Sequence, residues 1–198
     1  MTPFITLSGS KANSTILNSS DSGNIITSAT VTVMASDFVG RYLTIQNTFR
    51  KNGVQAAALR VSSDRVAFFG CRILGYQDTL LYESGRHYYY NCYIEGSVDF
   101  ICGNAASLFE ISNVILPRGW DDWGDASKQS TVFYDEYKCY GPGADRSQRV
   151  EWSQKLAAKV AELFLSKSIV EAKNWIKPTP KHFKKVFPSI SNNSTPHP

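Results

Sequence analysis

Gly75-Tyr76-Gln77-Asp78-Thr79-Leu80 and Gly96-Ser97-Val98-Asp99-Phe100-Ile101 carry an aspartate in the same setting, 21 residues apart. Outward from these strings the interval recurs. Cys71 and Cys92 are 21 residues apart, and Gln55 and Gln77 are 22 apart. Around them run short β-branched and aromatic segments, Tyr42 to Phe49, Arg65 to Leu74, His87 to Ile94, Ser107 to Leu116 and Thr131 to Tyr137, broken by Gly, Asn, Asp and Ser. No amphipathic helical pattern interrupts them before residue 153. Three unrelated residue types repeating at one short period predict a parallel β-helix, in which each repeat is one coil and equivalent positions stack at about 4.8 Å. A sandwich or barrel also uses many short strands, but its hairpins give like residues no reason to recur at one coil length.

The rest of the chain agrees with one such domain. Its 198 residues, 42% of them apolar and 19% charged, suit a globular core rather than disorder. No run of eighteen apolar residues predicts a membrane helix, and the first residues, Met1 to Leu7, lack the basic and long apolar regions of a secretory signal. The net charge of +4 is unevenly placed: residues from Lys155 onward carry eight lysines, Glu162 and Glu171, a balance of +6, leaving −2 for residues 1–154. Basic character therefore belongs to the tail, and neither part has the arginine and aromatic pattern of a nucleic-acid module. Ser153 predicts a helix cap ahead of Leu156, Val160, Leu163 and Phe164, a helix that would cover an end of the β-helix core. Past Trp175 the Pro-, Lys- and Ser-rich sequence reads as a mobile tail.

Cys71, Cys92, Cys102 and Cys139 match no zinc-ligand spacing, and His87, His182 and His197 are not clustered, so no metal site and no cofactor is expected. On adjacent coils Cys71 and Cys92 would form either a disulfide or a packed ladder of small apolar groups. Sequons at Asn13, Asn18, Asn192 and Asn193 are compatible with secretion. Stacking brings Asp78 and Asp99 one coil apart. Two carboxylates that close cannot both ionise easily, so one pKa rises and the pair can hold an acid and a nucleophile together. Gln55 and Gln77 add neutral N–H donors suited to an oxyanion.

The strings Gln55-Ala56-Ala57-Ala58-Leu59, Gly75 to Leu80, and Gly96 to Ala105, in that order, resemble the central motifs of plant pectin methylesterases. The likeness continues through Tyr42 to Thr48, Gly119-Trp120-Asp121-Asp122-Trp123, Tyr134 to Tyr137 and Gly141 to Ala144, covering about residues 3–176. The resemblance implies a right-handed parallel β-helix and hydrolysis of galacturonate methyl esters, without a cofactor. It implies Asp99 as nucleophile, Asp78 as the acid and then the base, and Gln55 and Gln77 as oxyanion donors. Phe100 and Trp120 would touch the sugar, with core packing as the competing reading for both. It further implies pectin as substrate, a proteinaceous pectinesterase inhibitor as partner, a monomer, and secretion to the cell wall.

Departures from the family pattern accompany the resemblance. The family's Leu-Gly-Arg-Pro-Trp string, whose arginine holds the nucleophile, has no counterpart, and only twenty residues separate Asp99 from Gly119. An internal block is therefore expected to be missing near residues 110–112. Arg118 belongs to the later motif and is not assigned the arginine's role. Cys102 replaces an aromatic residue, Ile25 stands where a substrate-contacting threonine is common, and the N-terminal Gly-x-Tyr-x-Glu strand is absent. The expected organisation is a β-helix over 1–152, a helical closing segment over 153–176 and a flexible basic tail over 177–198. Two functions compete: an esterase impaired by the missing arginine, and an inactive pectin-binding β-helix. A β-helix lyase or polygalacturonase would need calcium carboxylates or a different aspartate set.

Overall fold

The computed structural model describes residues 3–108, 119–122, 124–131, 135–136, 145–165 and 172–175. Thirteen short strands fill its first part: β1 (Thr6–Ser8), β2 (Ile16–Ser19), β3 (Val31–Val33), β4 (Val39–Arg41), β5 (Thr44–Asn47), β6 (Leu59–Ser62), β7 (Val66–Phe69), β8 (Arg72–Leu74), β9 (Leu80–Ser84), β10 (Arg86–Tyr90), β11 (Tyr93–Glu95), β12 (Ile101–Gly103) and β13 (Ala106–Leu108). They sort into three parallel sheets, ordered β1-β4-β7-β10-β13, β2-β5-β8-β11 and β3-β6-β9-β12. Each circuit through the three sheets is one coil of a parallel β-helix, and each return to a parallel neighbour follows the right-handed crossover rule.

The register gives the coil lengths. Val39 faces Ala67 and Ile45 faces Ile73, steps of 28 residues, whereas Ala67 faces Tyr88, Ile73 faces Ile94 and Leu80 faces Ile101, steps of 21. The 21-residue period is thus the length of the later coils, and the earlier ones are longer. The segments 65–74 and 87–94 each hold two strands rather than one, because the chain turns a corner at Gly70 (φ 59°) and again at Asn91 (φ 50°). Asparagine tolerates this left-handed conformation better than most residues because its short side chain bonds locally.

Inside the coils like packs on like. Ile45, Ile73 and Ile94 form one column and Leu59 and Leu80 another, all buried. Phe68 and Tyr89 stack with ring centroids 5.4 Å apart. Each buried aliphatic side chain of this kind contributes about 1.5–3 kcal/mol relative to exposure.

Beyond the coils the elements are short: a 3-10 turn at Ala126–Ser130, the parallel pair β14 (Asp135–Glu136) and β15 (Gln154–Lys155), and helices α1 (Ala158–Leu165) and α2 (Ala172–Trp175). The helix begins later than expected. The Ser153 hydroxyl donates to Val150 O at 2.9 Å instead of capping a helix, and the next two residues pair as a strand. The expected junction near 110–112 and the tail from 177 lie outside the described residues, as does Cys139.

Candidate active site

Asp78 stands two residues before β9 and Asp99 two residues before β12, and these strands pair in register with a step of 21. The ladder reaches back to the aspartates: Gln77 bridges Val98, and Asp78 N donates to Val98 O at 3.0 Å. Both aspartates turn through the left-handed region, with φ of 59° and 43°. Aspartate accepts that conformation at modest cost. The corner repeats on adjacent coils, so the two carboxyl groups share one edge of the β-helix.

Glycine makes the corner compact. A Cβ on Gly75 would lie 2.6 Å from Thr79 Oγ1, and one on Gly96 would lie 2.4 Å from the same atom and 2.4 Å from Phe100 Cβ. Only hydrogen fits at either position, and the buried Thr79 side chain occupies the space between them.

Asp78 is 3% exposed, and its Oδ2 has no hydrogen-bond partner among the described residues. Burial, and then the negative charge of Asp99, push its pKa up to about 6, against the opposing effect of a hydrogen bond from Gln55. Asp99 is partly exposed, and among the described residues no arginine or lysine pairs with it. The environments therefore differ in the sense required for one carboxyl to be protonated while its neighbour is accessible.

The glutamines are oriented by backbone donors that the residue spacing does not reveal. Gln55 Oε1 accepts from Ile25 N–H at 3.2 Å, so the bond it makes to Asp78 is donated by its NH2 group. Gln77 Oε1 accepts from Gly53 N–H at 2.9 Å, which leaves its NH2 group as the available donor. Leu59 faces Leu80, a step of 21, so Gln55 and Gln77 at a spacing of 22 are one residue out of register. The two amides are thus not a stacked pair, and Gln55 is tied to the aspartate itself.

Cys102 is a third side chain at the pair. Its Sγ lies 3.7 Å from Leu80 O, and burial followed by the charges of Asp78 and Asp99 pushes its thiol up to about 12. The sequence marks position 102 as a departure without showing that it faces the carboxylates. Phe100 packs against the hydrophobic core. Trp120 is half-buried in a segment whose Gly119 lies against the Arg149 side chain.

Comparison with known proteins gives one consistent result. A profile of the pectinesterase family matches in two pieces, residues 2–113 and 109–173. The chain is 44% identical to a protein named "Putative pectinesterase 11" of Arabidopsis thaliana, over 249 aligned positions spanning 96% of this chain and 70% of that one. It is 30% identical to "Probable pectinesterase 50" of the same plant, over 91% of this chain and 68% of the relative. Since 96% of 198 residues is about 190, about sixty positions of the first alignment have no residue from this chain. Among solved structures, a pectin methylesterase from carrot superposes with a TM-score of 0.72 at 28% identity, covering 85% of this chain and 77% of that one. One from Aspergillus niger gives 0.68 at 27% identity, covering 87% and 80%.

Proposed function

Because the chain belongs to the pectinesterase family, we propose that it is a carboxylic ester hydrolase acting on the methyl esters of homogalacturonan, releasing methanol in modification of the plant cell wall. The observation that carries this reading is the asymmetric carboxyl pair: Asp78 buried with a pKa near 6, beside the partly exposed Asp99.

The chemistry follows from that asymmetry. The Asp99 carboxylate attacks the ester carbonyl carbon, and the carbonyl electron pair moves onto oxygen. Gln77 donates to that oxyanion through its free NH2 group. Gln55 joins it by releasing Asp78, a bond that weakens once Asp78 is protonated and no longer charge-assisted. Collapse expels the methoxy group, which takes the Asp78 proton and leaves as methanol. Asp78, now ionised, removes a proton from water, whose oxygen attacks the acyl-enzyme and returns Asp99 as a carboxylate. Phe100 and Trp120 are proposed sugar contacts, Trp120 the stronger because Phe100 is engaged by the core. The proposed assembly is a monomer acting on pectin, open to a proteinaceous inhibitor, in the cell wall.

The two-piece family match, overlapping at 109–113, supports a chain shortened near 110–112 by whole coils. A solenoid tolerates such excision because each coil contacts only its neighbours. The missing block includes the arginine string expected to hold Asp99. A charge-assisted bond of that kind contributes about 1.5–3 kcal/mol, so its loss slows turnover roughly ten- to two-hundred-fold. A second reading, pectin binding without catalysis, is supported by the absence of a basic partner for Asp99 among the described residues. Methanol release from methylated pectin decides between them. A slow rate abolished by Asp99→Asn is expected. No release with retained pectin binding would favour the second reading, and turnover equal to that of a full-length relative would overturn the arginine argument.

A further inference from the structure

We propose that Cys71 and Cys92 are a modification site, a dithiol that oxidises to a disulfide stapling the coil of Asp78 to the coil of Asp99. The inference is independent of the esterase reading, because it rests on the backbone ladder and the two thiols alone.

Arg72 faces Tyr93 where β8 pairs with β11, so the residues just before them, Cys71 and Cys92, lie level on adjacent coils. The ladder continues across them, since Tyr93 N donates to Cys71 O at 2.9 Å. Their side chains adopt the same pose, each Sγ 3.6 Å from the carbonyl oxygen two residues back, Phe69 O for one and Tyr90 O for the other. The two side chains are close enough to shift each other's ionisation: Cys92 lowers the Cys71 pKa, while burial and then Cys71 raise that of Cys92. Parallel neighbours sit about 4.8 Å apart, inside the 4.4–6.8 Å range that a disulfide bridges. Both cysteines are reduced in this structure, Cys71 buried and Cys92 partly exposed, so the outer thiol gives reagents access to the pair. Cys102 faces the carboxylates instead.

The step balances with a small disulfide as oxidant. Cys92, the more accessible thiol, loses its proton to solvent and attacks one sulfur of the reagent, giving a mixed disulfide and one small thiol; burial and the neighbouring Cys71 raise its pKa, so the step speeds up as pH rises. Cys71 then attacks Cys92 Sγ, the new S–S bond forms and the second small thiol leaves. Two protein S–H bonds are lost, one S–S bond is gained, and the reagent is reduced to two thiols. The ring so closed holds residues 72–91, which include Gln77 and Asp78. An oxidising compartment would therefore lock the coil that carries the proposed acid.

The test uses the full chain treated with millimolar oxidised glutathione or with dithiothreitol. Thiol titration with a chromogenic disulfide should fall from four groups to two on oxidation, and digestion with trypsin and chymotrypsin should yield a peptide joining Cys71 to Cys92. The melting temperature should rise by about 5–10 °C and return on reduction. Cys92→Ser should lose both the linked peptide and the thermal response, while Cys102→Ser keeps both. Linkage to a different cysteine, two thiols that resist oxidation in the folded chain, or a bond without a thermal shift would each overturn the proposal.

Discussion

Two corners of the same coils use one backbone device for opposite electrostatic ends. At one, Asp37 (φ 59°) and Arg65 (φ 57°) turn through the left-handed region next to Asp64 and Arg86. At the other, Asp78 and Asp99 do the same. In the first corner every carboxylate meets a guanidinium. Arg65 grips both oxygens of Asp37 at 2.7 Å, while Arg86 donates to Asp64 from its backbone N–H at 3.0 Å and from Nε at 2.8 Å. The hydrogen bond from Arg65 lowers the Asp37 pKa, and that from Arg86 lowers Asp64 to about 2. In the second corner burial and a neighbouring carboxylate raise Asp78 instead. A fold that can neutralise its corner carboxylates with arginine, and does so elsewhere, leaves one pair facing itself. Stability gives no reason for that arrangement, whereas acid and nucleophile chemistry does.

The largest test of this contrast is Asp99→Asn. Removing the proposed nucleophile should cut methanol release roughly 10³-fold or more, whereas Asp37→Asn in the paired corner should leave the rate within a few-fold. Equal losses at both corners would erase the distinction.

Next comes Asp78→Asn, read through pH. A carboxyl whose folded pKa is raised contributes stability at low pH that is lost as pH rises from about 4 through about 6. The loss is about 3 kcal/mol from a shift of this size. Asp78→Asn should therefore abolish activity yet be more stable than the parent above pH 7, and the slope of stability between pH 4 and 6 should flatten. The paired corner tilts the other way: the stability it lends is present above the ordinary carboxylate pKa and lost as pH falls through about 2. Urea melts across pH 2–8 measure both. In activity, the proposed role of protonated Asp78 as the acid predicts an alkaline limb of kcat/KM near pH 6.

Gly96→Ala should cost about 1–3 kcal/mol and weaken activity further, because the new methyl collides with Thr79 and Phe100 beneath the carboxyl pair. Loss of rate beyond loss of folded protein would show that the corner geometry is tuned. The smallest effect belongs to Arg86→Ala, about 1 kcal/mol in thermal or urea unfolding, screened by salt, since Asp64 keeps Arg65 as a partner and the pair is about a third exposed.

The sequence by itself determined the architecture and the aspartate pair, because a solenoid writes its contacts into a period: residues one coil apart touch, and Asp78 with Asp99 or Cys71 with Cys92 can be read as neighbours by counting. The same counting misplaced Gln55, whose spacing of 22 looks like the period yet falls one residue off the ladder. It also merged strands across the Gly70 and Asn91 corners, since a left-handed turn inside an apolar run leaves the hydrophobic pattern unchanged. Only the tertiary structure decided which aspartate is buried, that Cys102 faces the pair, and that Ile25 and Gly53 N–H groups orient the two amides. Those facts depend on desolvation and on backbone donors from distant loops. Neither leaves a mark in residue type or spacing, because burial is a property of everything packed around a side chain and a peptide N–H is the same at every non-proline position.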